Sequence, residues 1–278
     1  MSIDKKKPLY INGKDIQKMS YVDFVGFINQ WNVLPGAFDT LNRWRVFANV
    51  TENSKILEIA CTTGFSSREL SILTGASCYG IDTSATSIRS AIKNKEEYAP
   101  VKNLSYEIAD ALSFTKKSKF THIIIGASLK FFSDQQVVVE KISRLLRKNG
   151  YLLASPFFTI KPIPQDLIKK ARTIFGITIT TESYKEIMWM YKDFEILYLE
   201  KRELVLETEK ELKHYCTSTI ERFHKANPGL TPDALSVAYK RLMKIKRMSN
   251  ELRPYQGYVV LVLRARENSF SKRFVELF

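Results

Sequence analysis

Two patterns of apolar and polar positions take turns along the chain. Short apolar runs rich in β-branched residues occur at residues 54–59 (SKILEI), 77–82 (SCYGID), 104–110 (LSYEIAD), 120–128 (FTHIIIGAS), 150–158 (GYLLASPFF) and 257–267 (GYVVLVLRARE). Between them apolar residues return every three or four positions, as in residues 83–97, with Ser84 as a cap, and in residues 129–150, closed by Asn149 and Gly150. The first pattern predicts buried strands and the second predicts helices, so the chain reads as an α/β protein. Two helices precede the first strand. Residues 20–32 carry Phe24, Phe27, Ile28 and Trp31, and residues 37–50 carry Phe38, Leu41, Trp44, Val46 and Phe47, with Leu34-Pro35-Gly36 as the break between them. Past the fifth strand, further helices are predicted at 165–174, at 181–194 with Thr181 as cap, at 210–225, and from Thr231-Pro232 onward.

The chemistry concentrates in residues 54–70, SKILEIACTTGFSSREL. A strand ends near Glu58, small residues Ala60, Cys61 and Thr62 lead to Gly64, and a helix begins near Ser66 and Ser67. Backbone N–H groups at such a turn have no internal partner, and small side chains let a ligand approach them, so a nucleotide-like cofactor belongs here. A pyrophosphate cofactor needs G-x-G-x-x-G after the first strand, and one glycine argues against a nicotinamide or flavin.

The spacing resembles the E/D-x-G-x-G-x-G motif of the class I S-adenosylmethionine-dependent methyltransferases, with Ala60 and Thr62 at the first two glycine positions and Gly64 at the third. LLRKNGYLLAS, then a helical excursion, then FEILYLEKRELVLE, is similar to the ubiquinone-biosynthesis-like branch of that family. The resemblance implies a Rossmann-like, seven-stranded, mostly parallel sheet with an antiparallel last strand, helices on both faces, an N-terminal helical cap and a C-terminal helical insert. Its divisions are a tail and cap at 1–50, a cofactor-binding core at 51–207, an insert at 208–256 as lid or interface, and a last strand and tail at 257–278.

S-adenosyl-L-methionine is the implied cofactor and S-adenosyl-L-homocysteine its product. Glu58, Ala60, Cys61, Thr62 and Gly64 would form its loop. Asp82 lies 24 positions after Glu58, near the spacing of about 20 at which an acid meets a ribose. With Thr83 beside it, Asp82 is the implied partner of the two ribose hydroxyls; the alternative is a strand-end acid capping the next helix. Asp110 and Ala111 would face the adenine, and Gly126 and Ser128 the methionine part and the methyl. Gly126-Ala127-Ser128-Leu129 stands where nucleic-acid amino-methyltransferases carry N/D-P-P-Y/F, which argues against that chemistry.

The cap, which in the family lies over the active site, supplies substrate candidates Tyr21, Phe24, Trp31, Phe38, Asp39 and Arg43, with Phe132 from the core; the alternative for each cap aromatic is plain packing on the core. No residue stands out as a base: Asp23, Asp39, His214 and His224 are available, Asp39 is hypothesised to position a substrate amine, and His122 reads as a structural histidine. With 278 residues, 45% of them hydrophobic, the chain can fill one large core with a cap. Its net charge of +14 raises the question of a polyanionic partner. The basic residues are spread along the chain, however, with modest clusters at 5–7, at Lys116, Lys117 and Lys119, and at Lys240, Arg241, Lys244, Lys246 and Arg247, which favours a solvated surface. Three unevenly spaced cysteines, no secretory signal and no membrane-length apolar run fit a reducing cytoplasm, with no metal site. The expected activity is methyl transfer to a nitrogen or oxygen of a small molecule or small peptide, as in natural-product tailoring. An RNA methyltransferase and a non-catalytic cofactor-binding protein remain as alternatives, and the sequence leaves the oligomeric state open.

Overall fold

The computed structural model describes residues 11–99 and 101–265. The strands are β1 (Lys55–Ile59), β2 (Ser77–Asp82), β3 (Leu104–Ile108), β4 (Phe120–Gly126), β5 (Leu146–Ala154), β6 (Phe157–Thr159), β7 (Glu195–Glu203) and β8 (Gln256–Arg264). The helices are α1 (Gly13–Lys18), α2 (Tyr21–Phe27), α3 (Ala37–Phe47), α4 (Phe65–Thr74), α5 (Ala85–Tyr98), α6 (Gln135–Leu145), α7 (Gln165–Phe175), α8 (Tyr184–Trp189), α9 (Glu209–Ala226) and α10 (Pro232–Leu252).

Strands β3, β2, β1, β4 and β5 are parallel neighbours in that order, and β8 runs antiparallel to β5 and to β7. The eighth strand comes from a break in the fifth. Ser155-Pro156 interrupts the run, because proline has no N–H for the ladder, and the chain resumes as β6 further along β8: β5 pairs residues 261–264 of β8, and β6 pairs 256–258. The sheet thus keeps seven strand positions with an antiparallel last strand.

Successive side chains of a strand point to opposite faces, and here both faces are buried. Leu57, Ile123, Leu152 and Leu261 pack in one core with α6 and α8, whereas Ile56, Ile124, Leu153 and Val260 pack in another with Leu41 and Trp44 of α3 and Leu70 of α4. A third core lies apart from the sheet. Ile16, Phe24, Ala171, Phe175, Leu212, Phe223, Ala238 and Leu242 unite α1, α2, α7, α9 and α10, so the N-terminal cap and the insert are packed together with a helix from the middle of the chain.

Several boundaries differ from the sequence reading, each for a local reason. Helix α1, capped by a box between Asn12 and Asp15, occupies residues given no element above. The helix expected over 20–32 stops at Phe27, because Asn29 is left-handed (φ 49°). The helix expected to run to Gly150 stops at Leu145: Leu146 already pairs with Phe120, and Asn149 (φ 57°) sits within the strand at an irregular stretch. Ser183, not Thr181, caps α8, since Glu186 closes the capping box with it. Thr231 and Pro232 start α10 as expected. Most of the expected N-terminal tail (1–10), the end of the last expected strand (266–267) and the C-terminal tail lie outside the described residues.

Candidate functional site

The loop after β1 gathers three left-handed residues within five positions. Ala60 (φ 54°), Thr62 (φ 51°) and Gly64 (φ 76°) are all left-handed, at the three positions where the family motif has glycine. A Cβ in that region costs about 1–2 kcal/mol, so the loop holds a glycine-type shape without two of its glycines. Neighbouring bonds keep it there. Cys61 N donates to Ile81 O (3.0 Å), Gly64 N to Cys61 O (2.8 Å), Thr62 N to Asp82 Oδ2 (3.0 Å), and Thr63 Oγ1 to Gln30 O (2.8 Å). Ala60→Gly and Thr62→Gly are therefore each expected to relieve up to about 1 kcal/mol, raising Tm by about 2–4 °C with no loss of S-adenosylhomocysteine affinity; thermal unfolding and calorimetric titration check both, and a lower Tm would show that the loop is not strained.

Glu58 turns away from the loop's mouth and holds it from behind. Its Oε2 accepts from Ser67 N (2.9 Å) in the first turn of α4, and burial raises its pKa while hydrogen bonds from Ser67 and Ser66 oppose the shift. Cys61 is buried, and burial pushes its thiol well up, so it packs as a thiol and not as a thiolate. Tyr106 on β3 is a contributor the sequence reading missed: its hydroxyl donates to Gly64 O (2.9 Å) and accepts from Ser67 Oγ (3.2 Å), so its ring braces the loop from the neighbouring strands. The available clue was Gly80, a glycine inside β2 paired with Tyr106, which leaves room for the ring.

Asp82, 5% exposed, ends β2 beside the loop. Its Oδ2 accepts from Thr62 N (3.0 Å) and its Oδ1 from Ser84 N (2.8 Å). A carboxylate has about four acceptor positions, so two remain for a ligand, and helix capping and ligand binding are compatible. Burial raises its pKa, the backbone N–H groups of Ser84, Thr62 and Thr83 oppose this, and the Asp23 carboxylate adds to the rise. Asp23 itself accepts from Ser84 Oγ (2.6 Å), which ties α2 to the mouth of the site.

The next strand end is brought alongside: Ile108 is paired with Asp82, and Ala109 N donates to Asp82 O (3.0 Å). Asp110 and Thr83 are exposed there, Ala111 is buried, and Ile108 and Leu112 are exposed apolar neighbours. Asp110 Oδ1 accepts from Leu112 N (2.9 Å). On the other side of β1, Gly126 is left-handed (φ 49°), its carbonyl accepts from Ser155 N (2.8 Å), and Leu34 from the segment after α2 stands over it. The Ser128 hydroxyl turns back onto Ile125 O. Loop, Asp82, Asp110 and Gly126 thus share the carboxyl ends of adjacent strands, where the strand order reverses between β1 and β4.

The substrate and catalytic candidates are scattered. Phe24 is fully buried in the helical core with the Arg241 guanidinium 4.4 Å over its ring, and Tyr21 meets Phe175 edge-on (5.7 Å). Trp31 packs between Arg68 (4.1 Å) and Tyr98 (4.8 Å). Phe38, 49% exposed, meets Phe65 edge-on. Asp39 pairs with Arg202 (3.2 Å) and Arg43 with Glu200 (3.2 Å), forming a ladder between α3 and β7. Phe132 packs partly buried on the core beside β4. His214 and His224 are exposed on α9. His122 is buried, with Nε2 2.9 Å from Ala48 O and Nδ1 2.8 Å from Thr121 Oγ1, and burial lowers its pKa. Among the described residues, no group of three His, Cys, Asp or Glu is placed to hold a metal.

An open sheet of this order, with a left-handed loop after β1 and an acid at the end of β2, defines a nucleoside-cofactor protein of the class I type. Residues 50–211 match the methyltransferase-domain family, and the chain belongs to it: it is a class I S-adenosylmethionine-dependent methyltransferase. The chain is similar to the MccD protein, with 26% identity over 84% of this chain and 100% of that one (TM-score 0.69). It shares its fold with an S-adenosylmethionine-dependent methyltransferase from Geobacter sulfurreducens solved with S-adenosyl-L-homocysteine (16% identity, 88% and 98% covered, TM-score 0.67). It also shares it with the [4+2]-cyclase SpnF (15% identity, 93% and 98% covered, TM-score 0.60). No curated protein matches the chain. The cofactor is S-adenosyl-L-methionine, and the site suits it: a left-handed loop of small residues without a pyrophosphate fingerprint, and a carboxylate with acceptor positions left for a diol.

Proposed function

We propose that the protein transfers the methyl group of S-adenosylmethionine to a nitrogen or oxygen atom of a small molecule or small peptide, as a tailoring step in the cytoplasm. The observation that supports this most is the roof over the strand ends: α2 is bonded to the cap of α5 through Asp23, and Leu34 stands over Gly126. A roof of this kind would exclude water around a compact bound acceptor, and most of the rate would then come from alignment in a dry site. The cofactor supplies a sulfonium-bound methyl open to in-line attack. The loop and Asp82 fix the nucleoside end; the turn after β4 flanks the reacting end. A neutral amine would need alignment and loss of a proton, while a hydroxyl would need a base.

The basic cluster of α10 favours a small acceptor over RNA. Arg241 donates to the carbonyls of Ile16 and Met19, Lys246 pairs with Glu207 and Arg247 with Glu209, which leaves Lys240 and Lys244 exposed. Among the described residues no helix is long and apolar enough to cross a membrane. The other reading is a non-catalytic protein that binds the cofactor without turnover, and Ala60 and Thr62 in place of two motif glycines permit it. Incubation of methyl-labelled cofactor with a whole-cell extract, followed by separation by size and by nuclease and protease sensitivity, tests the choice. Label in small or peptide material supports the proposal, nuclease-sensitive label contradicts it in favour of RNA, and intact cofactor binding without label favours the non-catalytic reading.

A further inference from the structure

Thr63, 1% exposed, sits between the left-handed residues Thr62 and Gly64 and carries bonds from three other segments. Its hydroxyl donates to Gln30 O (2.8 Å), in the stretch after α2. Its carbonyl accepts from Asn94 Nδ2 on α5 (3.0 Å) and from Arg68 Nη1 on α4 (3.3 Å). None of these partners belongs to the sheet. The shape of the cofactor loop therefore depends on a stretch that precedes the first strand.

That stretch is held by side chains, since residues 30–34 lie in no helix or strand. Asn29 turns the chain at the end of α2 (φ 49°), and its amide pairs reciprocally with that of Asn94: Asn29 Nδ2 donates to Asn94 Oδ1 (2.7 Å) and Asn94 Nδ2 to Asn29 Oδ1 (2.9 Å). Asn94 is fully buried. Arg222 Nη2 on α9 donates to Asn29 O (3.1 Å) from 193 positions away. Two guanidiniums stand over the Trp31 ring, that of Arg68 at 4.1 Å and that of Arg222 at 5.9 Å. At the other end Asn32 Oδ1 accepts from Leu34 N (2.8 Å), and Leu34 stands over Gly126. Residues 29–34 thus form a strap from the cofactor loop to the turn after β4. Helix α9 packs in the third core, apart from the sheet, so Arg222 links that core to the strap.

We propose that Asn29, Asn94 and Arg222 are positioning residues for the cofactor: they press the strap onto Thr63, and Thr63 keeps the loop in its binding shape. The helical insert then sets cofactor affinity through Arg222. This rests on the reading that residues 60–64 hold the cofactor. A buried acceptor that loses its donor costs more than the bond itself contributed, so release of the strap at either end is felt at the loop.

The test is calorimetric titration of the full chain with S-adenosylhomocysteine, well below the Tm of every variant, beside thermal unfolding. Arg222→Met keeps an apolar stem and removes the guanidinium; Thr63→Val keeps the shape and removes the hydroxyl. Each is expected to weaken binding about three- to tenfold. Thr63→Ser restores the donor and should bind within about twofold of wild type. Because both groups act through one strap, the double variant should lose clearly less than the product of the two single losses. Leu242→Ala, at a fully buried position of the third core, is the stability control: it should lower Tm at least as much as Arg222→Met and leave affinity unchanged. Wild-type affinity in Arg222→Met or in Thr63→Val, independent losses in the double variant, or a loss in Leu242→Ala as large as in Arg222→Met would overturn the proposal. Failure of the wild type to bind S-adenosylhomocysteine would strike instead at the reading of the loop as the cofactor site.

Discussion

Replacing Asp82 with alanine is expected to lower the affinity for S-adenosylhomocysteine by at least about a hundredfold, the largest loss of any single change at the cofactor site. Two effects add. The carboxylate offers its two free acceptor positions to the ribose diol, and charge-assisted bonds contribute about 1.5–3 kcal/mol each. It also accepts from Thr62 N and Ser84 N, so its loss releases a loop that is left-handed at residues without a glycine's freedom. Stability should suffer less than binding. Burial raises the pKa of Asp82, so its folded form takes up a proton more readily than its unfolded form, and its ionised state costs stability at neutral pH. Removing it relieves that cost, against two N–H groups left without an acceptor, so Tm should change by a few degrees only. Cofactor affinity in the wild type should fall on acidification, in a window above the ordinary aspartate range, because the diol needs the ionised carboxylate. Calorimetric titration across pH checks both; an Asp82→Ala protein that binds S-adenosylhomocysteine within threefold of wild type would remove Asp82 from the site.

Gly64→Ala is expected to destabilise the protein by about 2–5 kcal/mol and lower Tm by about 5–15 °C. A Cβ there would lie 2.3 Å from the Tyr106 hydroxyl oxygen and 2.5 Å from its Cζ, on a backbone with φ 76°. Overpacking and left-handed strain therefore act together. They separate in a double-mutant cycle with Tyr106→Ala, since removing the ring relieves the clash and leaves the backbone strain, so a coupling of about 1–3 kcal/mol is expected. Additive losses in that cycle would mean that Tyr106 does not brace the loop.

The strands, most helices and the cofactor loop were legible in the sequence because they rest on local signals. The short apolar run through Ile56 and Leu57 and the helix start at Thr231-Pro232 need no knowledge of the rest of the chain. The loop was legible from spacing even with Ala60 and Thr62 in place of glycines, since their conformation follows from anchors on β2 and not from their own preference. What could not be read were partnerships between distant segments. Phe24 and Tyr21 read either as pocket or as core aromatics, and only the fold shows that their helix packs in a core with α7, α9 and α10. Asp39 and Arg43 looked free to meet a substrate until β7 supplied Arg202 and Glu200 across the surface.

The central claim is that the carbon which leaves the sulfonium is the methyl. Three carbons are bonded to that sulfur, and a doubly labelled cofactor, tritiated in the methyl and carbon-14 labelled in the carboxyl, distinguishes the methyl from the aminocarboxypropyl arm. Incubated with the wild type and a small-molecule extract, it should yield a small product that carries tritium without carbon-14, together with S-adenosylhomocysteine that carries carbon-14, and neither should form with Asp82→Ala. A product carrying the carboxyl label, or a cofactor that is bound and returned unchanged, would contradict the account.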